Sequence, residues 1–96
     1  MYVKIHQTDD SIVTAICDEK LIGKTFSEDG REITVSERFY KGDQKSEEEV
    51  TELLQNASNL NLIGEDTINL ALKLKIITKD SIMLINKIPH AQVFEI

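Results

Sequence analysis

Tyr2-Val3-Lys4-Ile5-His6-Gln7 mixes β-formers with polar residues, Thr8-Asp9-Asp10-Ser11 has turn chemistry, and Ile12-Val13-Thr14-Ala15-Ile16-Cys17 is β-rich again. This pattern predicts a hairpin. Asp18 can cap a short helical turn through Leu21-Ile22, and Gly23 can take the left-handed conformation that ends it. Asp29-Gly30 signals a second turn, after which Glu32-Ile33-Thr34-Val35 alternates so that Ile33 and Val35 share one face of a third strand.

The period then changes. Ser46 followed three residues later by Glu49 forms a capping box, and Glu47 to Glu49 lie where the positive end of a helix dipole favours carboxylates. Val50, Leu53, Leu54 and Ala57 fall on one helical stripe that needs a sheet to cover it. After a connection over Asn56 to Asn61, Glu65 to Lys75 places acids first and Lys73 and Lys75 last. Apolar residues nearly all round predict a central second helix. Ser81 to Ile85 and Ala91 to Ile96 read as closing strands, joined through Asn86-Lys87 and Pro89. The expected fold is a single α+β domain over residues 1–96, a mostly antiparallel sheet in the order βββ-αα-ββ with two helices on one face.

Composition narrows the function classes. Eleven basic against 17 acidic residues give a net charge of −6. This speaks against generic DNA or RNA binding, where affinity comes largely from clustered Lys and Arg. One cysteine cannot form an internal disulfide, and a secreted domain of this size usually needs several, so the cytoplasm is the expected location. Met1 to Asp10 has no signal-peptide pattern and no segment has a membrane-spanning apolar run, so neither export nor membrane insertion is expected.

Complete catalytic motifs are absent from the sequence. Gly23-Lys24-Thr25 copies the end of a phosphate-binding loop, but Asp18 stands where that loop needs its first glycine. No CxxC, HxxxH or HxxxE spacing marks a metal site, and no cofactor is expected. Cys17 could be a nucleophile beside a short helix, or a small buried hydrophobe sharing a strand face with Val13 and Ala15. Asp18 reads as a helix cap or as a catalytic carboxylate, and His90, after the single proline, as a structural histidine or an acid–base group. Lys24, Arg38 and Tyr40 are solvated residues or contacts for an anionic or stacking ligand.

Several strings together resemble the archaeal domain-of-unknown-function family 424: Cys17-Asp18-Glu19-Lys20-Leu21-Ile22-Gly23-Lys24-Thr25-Phe26, Phe39-Tyr40-Lys41-Gly42, Asn59-Leu60-Asn61-Leu62-Ile63-Gly64-Glu65 and Pro89-His90-Ala91-Gln92-Val93. The resemblance spans nearly the whole chain. It implies an archaeal, cytoplasmic, stand-alone α+β domain and carries no activity. Lys75 departs from it, standing where related chains carry glycine after the second helix. The polar signature residues Asp18, Lys24, Asn59, Glu65, His90 and Gln92 fall at segment ends, where loops could converge on one patch.

These readings lead to an expectation of a non-enzymatic interaction module for a protein or ribonucleoprotein partner, conceivably in translation, presenting Asp18, Lys24, His90 and Gln92. The alternative is a small hydrolase or transferase using His90 with Asp18 orienting it and Cys17 as nucleophile. A homodimer paired through an edge strand at Val93 to Ile96 is a third expectation.

Overall fold

In the computed structural model, which describes residues 1–94, the predicted hairpin is present. Strands β1 (Tyr2–Gln7) and β2 (Ile12–Cys17) pair antiparallel from Tyr2 opposite Cys17 to Gln7 opposite Ile12. A 3-10 turn over Glu19–Leu21 follows, and Gly23 closes it at φ +83°. The third strand of the sequence reading is one arm of a second hairpin, β3 (Thr25–Glu28) with β4 (Arg31–Thr34). Three of the four β3 residues are exposed, so the strand lacks an alternating apolar signal. This hairpin forms its own two-stranded sheet.

Helix α1 (Glu37–Tyr40) is capped by Ser36, whose side chain accepts from the Phe39 N–H. Strand β5 (Asp43–Gln44) then pairs with the start of β1. Helix α2 (Glu47–Asn56) begins with the predicted capping box of Ser46 and Glu49, and those hydrogen bonds from Ser46 hold the Glu49 carboxyl below the usual carboxylate range. Strand β6 (Leu60–Ile63), helix α3 (Glu65–Lys73), a 3-10 turn over Lys79–Ser81, and strands β7 (Met83–Ile85) and β8 (Ile88–Val93) complete the chain.

The main sheet has the order β5-β1-β2-β6-β8-β7. Two features correct the sequence reading. A strand, β6, stands between the two long helices, parallel to β2 and antiparallel to β8. Leu60 and Leu62 are buried against the helices and Ile63 against the opposite layer, so β6 is apolar on both faces and shows no alternation. The closing strand begins at Ile88, earlier than expected, and lies inside the sheet with Val93 opposite Leu60. On its other side β7 covers only Ile88 to His90, so the stretch from Ala91 onward has no strand beyond it among the described residues, and Glu95 and Ile96 of the edge expected for a dimer lie outside those residues. The edges are β5 and β7.

Pro89 is tolerated in an internal strand because the β6 ladder ends at Ile63 opposite His90. The chain beyond approaches only through the Gly64 N–H, which donates to the Pro89 carbonyl.

Each face of the main sheet carries a layer. Val50 and Leu54 of α2 and Ile68, Leu70 and Ala71 of α3 pack on Val3, Ile16, Leu60, Leu62 and Ala91. Each fully buried large aliphatic chain contributes about 1.5–3 kcal/mol, so this layer dominates the packing energy. The 3-10 turn after β2, the β3-β4 hairpin and α1 cover the opposite face through Leu21, Val35 and Tyr40, which pack with Ala15, Cys17 and Ile63. No helix among the described residues is long and apolar enough to cross a membrane.

Candidate functional site

On the face beneath the small hairpin, sheet register brings together side chains from distant segments. Cys17 lies opposite Ile63, which lies opposite His90, and one step along the ladder Ala15, Asn61 and Gln92 form a parallel row. Helix α1 lowers Tyr40 onto this row. The Tyr40 hydroxyl donates to Asn61 Oδ1 at 2.7 Å, and His90 Nε2 lies 3.0 Å from the same oxygen. An amide oxygen has two lone pairs, so Asn61 Oδ1 accepts both the phenol O–H and the imidazole Nε2–H. In the neutral imidazole that assignment leaves Nδ1 as the remaining acceptor.

Burial favours the neutral state. His90 is 5% exposed, and desolvation holds its pKa below the ordinary histidine value. Nδ1 is buried without a hydrogen-bond partner among the described residues. Tyr40 is likewise pushed up by burial, with a smaller contribution from nearby Cys17. Burial first, and the neighbouring Asp18 second, push the Cys17 thiol up to about 12. At neutral pH the cluster therefore consists of uncharged groups: a thiol, a phenol, an amide and an imidazole.

Asp18 begins in the same place and turns elsewhere. Its N–H donates to the Ile63 carbonyl, while its carboxylate crosses to the start of α3. There Oδ2 accepts from the Asp66 N–H at 3.0 Å, and Oδ1 accepts from the Thr67 N–H at 2.8 Å and the Thr67 hydroxyl at 2.7 Å. Gly64 occupies the N-cap position of α3 and has no side chain to satisfy these donors. Asp18 supplies the cap from 48 residues away in sequence, and it makes no side-chain cap to its own 3-10 turn. The local cap in the sequence reading is thus replaced by a long-range one, because the α3 start leaves free donors within reach.

The other expected site residues are dispersed. Lys24 is exposed at the entrance to the small hairpin, and Glu65 is exposed on the first turn of α3. Asn59 donates through Nδ2 to the Ile12 carbonyl, fastening the start of β6 to β2. Gln92 is exposed on the sheet face that also carries His90. Arg38 is exposed and offers its carbonyl to Lys4 Nζ at 2.6 Å, while Tyr40 is buried and bonded, so the two do not form an open stacking site with Lys24.

The geometry thus joins Tyr40 and His90 through Asn61, with Cys17 in the same buried cluster as Tyr40, while the Asp18 carboxylate bonds to Asp66 and Thr67. Sequence reasoning missed Asn61 and Thr67 as partners. Asn61 had one visible signal: a lone amide between Leu60 and Leu62 in a strand apolar on both faces needs a buried partner. Among the described residues no group of three His, Cys, Asp or Glu could hold a metal ion. A cleft of about 620 Å³ lies on the α2 and α3 side, where Glu19, Glu47 and Asp66 face Lys20 and Lys73. His90 is not part of its lining.

Comparison with known proteins adds a family and a fold. No curated protein matches the chain. A solved structure described as an uncharacterized conserved protein from Methanopyrus kandleri is similar at 26% identity with a TM-score of 0.77, covering 99% of this chain and 93% of that one. A family model described as protein of unknown function, DUF424, matches residues 6–96. With nearly the whole chain inside that match, the protein belongs to the DUF424 family.

Proposed function

We propose that this domain is a non-enzymatic interaction module that docks on a basic protein, alone or within a ribonucleoprotein particle. The observation that carries the reading is the placement of the reactive groups. The Asp18 carboxylate is bound to three donors, the Cys17 thiol is buried, and His90 is held by Asn61. A hydrolase or transferase in which Asp18 orients His90 needs the carboxylate on the imidazole, whereas here Asp18 bonds to Asp66 and Thr67 and His90 to Asn61. The net charge of −6 favours a basic partner and opposes direct contact with phosphates. Met83, Gln92 and Phe94, exposed and uncharged on the β8 side of the sheet, supply the contact region.

The test is recovery of tagged chain from extract of its source cells, with and without nuclease, beside a Gln92→Glu/Phe94→Ser variant. The expected result is one basic protein in stoichiometric amount, retained after nuclease, released by salt and lost in the folded variant, with the complex rebuilt from purified components. Substrate turnover that vanishes in a folded His90→Gln variant would overturn it.

A further inference from the structure

Strand β1 is the outermost long strand on its side of the sheet, and only its first half is covered. Strand β5 pairs with Tyr2 and Val3 and then ends. The hydrogen bonds of the hairpin and of β2 fix which way the remaining groups point. Thr8 N–H donates to the Ser11 carbonyl, and Thr14 N–H donates away from β1 to the Asn59 carbonyl. In an antiparallel ladder hydrogen-bonded and non-bonded pairs alternate, so Ile5 opposite Thr14 and Gln7 opposite Ile12 are non-bonded pairs. The N–H and C=O groups of Ile5 and Gln7 therefore point outward, past the end of β5.

This edge lacks the usual protection. Natural edge strands carry an inward charge, a proline or a bulge, whereas Ile5-His6-Gln7 has none of these. Ile5 is 55% and Ile12 50% exposed, and the register makes them diagonal neighbours on the helix-bearing face. The opposite edge differs in that the small hairpin lies against β7, with Glu28 accepting from the Asn86 N–H.

We propose that β1 pairs antiparallel with β1 of a second copy across a two-fold axis through His6. That register puts Ile5 opposite the second copy's Gln7 and Gln7 opposite its Ile5, so the outward groups of both strands are satisfied by four main-chain hydrogen bonds. The apolar pair Ile5 and Ile12 then continues into its symmetry mate across the joined sheet. Charge selects a second copy over an arbitrary peptide. The exposed turn of one copy carries Asp9 and Asp10, and the same register brings it to the other copy's β5 end. A cleft of about 270 Å³ there is lined by Val3, Lys4, Ile5, Gly42, Asp43 and Lys45, with exposed Lys41 adjoining it. Its balance is basic, and both ends of a two-fold pairing receive the same complementarity. This pairing is independent of the basic partner proposed above, which would contact the other end of the sheet.

The test is sedimentation of the purified full chain over a range of concentrations, with three variants. Ile5→Lys charges the edge, Gln7→Pro removes an outward donor without breaking the β1-β2 ladder, and Asp9→Lys/Asp10→Lys reverses the turn. The wild type is expected to dimerise reversibly and less tightly at high salt, and each variant to raise the dissociation constant about tenfold or more while keeping its circular dichroism. Adding Lys41→Glu to the reversed turn should restore part of the affinity. A wild type monomeric at every concentration, or a dimer indifferent to both Ile5→Lys and Gln7→Pro, would overturn the proposal.

Discussion

Gly64 is shaped by Asp18. A Cβ built on Gly64 would lie 2.6 Å from each oxygen of the Asp18 carboxylate, and Gly64 sits at φ +112°, where a side chain is strained in any case. The glycine gives up the ordinary N-cap of α3 so that a carboxylate from β2 can take its place, tying the sheet to the helix. Asp18→Ala should lose about 3 kcal/mol, because it leaves two main-chain N–H groups and the Thr67 hydroxyl without their charged acceptor. Gly64→Ala should lose a similar amount, about 3 kcal/mol, through clash and backbone strain. Urea unfolding of both variants measures this, and midpoints close to wild type would show that the cap contributes little.

Removing the Asn61 amide or the Tyr40 hydroxyl tests the other buried network. Tyr40→Phe leaves Asn61 Oδ1 one donor short and should cost about 1–2 kcal/mol. Asn61→Ala should cost more, since both the Tyr40 hydroxyl and His90 Nε2–H lose their acceptor. A double-mutant cycle of Tyr40→Phe with His90→Gln should show coupling, because both donors share one oxygen. Additive losses would mean that the shared oxygen does not link them.

His90 sets a pH dependence whose sign follows from its lowered pKa. Burial disfavours the imidazolium in the folded state, whereas the unfolded chain titrates near the ordinary value of about 6.5. The unfolded state therefore binds more protons as pH falls, and stability falls with it. The contribution is complete above about 6.5 and is lost progressively below it, levelling off once pH passes the folded pKa. Denaturant midpoints measured at descending pH should show this slope in the wild type and a smaller slope in His90→Gln, with His6 common to both proteins. Equal slopes would assign the effect to other groups.

What was legible in the sequence was local. The Ser46 and Glu49 capping box, the Val50, Leu53, Leu54 and Ala57 stripe and the first hairpin each carry their signal within a few residues, and each is present. Strand β6 was hidden because burial on both faces erases the period-two pattern, and its four residues follow a stretch rich in Asn and Ser that reads as a connection. The role of Asp18 was hidden for a different reason. Its partners are nearly fifty residues away, and a carboxylate after a strand looks like a cap for the turn that follows it. The join between Asn61 and His90 depended on that same unseen strand.

Cys17 should be unreactive in the native protein. Only the thiolate is nucleophilic, and a buried thiol pushed up to about 12 is almost wholly protonated at neutral pH. Alkylation by a thiol reagent should follow unfolding, with a rate that rises with added urea and saturates when the chain is open. Rapid modification of the folded chain would show that the layer above Cys17 opens on its own.

Lys75 is the position where a single substitution should stabilise the fold. Helix α3 ends with the Lys75 N–H donating to the Leu72 carbonyl and the Ile76 N–H donating to the Ala71 carbonyl, a pattern that requires a left-handed residue at Lys75, which has φ +62°. A side chain there costs about 1–2 kcal/mol, and glycine removes that cost while giving back about 0.5–1 kcal/mol through its freer unfolded chain. Lys75→Gly should therefore raise stability by about 0.5–1 kcal/mol, whereas Lys75→Ala, which keeps the strained Cβ, should give no such gain. Lys87 offers an internal comparison. With Asn86 it forms the two-residue loop between β7 and β8, both residues at positive φ, and Asn-Gly is the sequence that loop prefers. Lys87→Gly should stabilise by a similar amount and add to Lys75→Gly in the double variant, since the two sites belong to separate turns with no shared hydrogen bond. Thermal melts of the four variants decide it, and a fall in melting temperature for Lys75→Gly would mean that the lysine side chain holds the helix end by a contact worth more than its backbone strain.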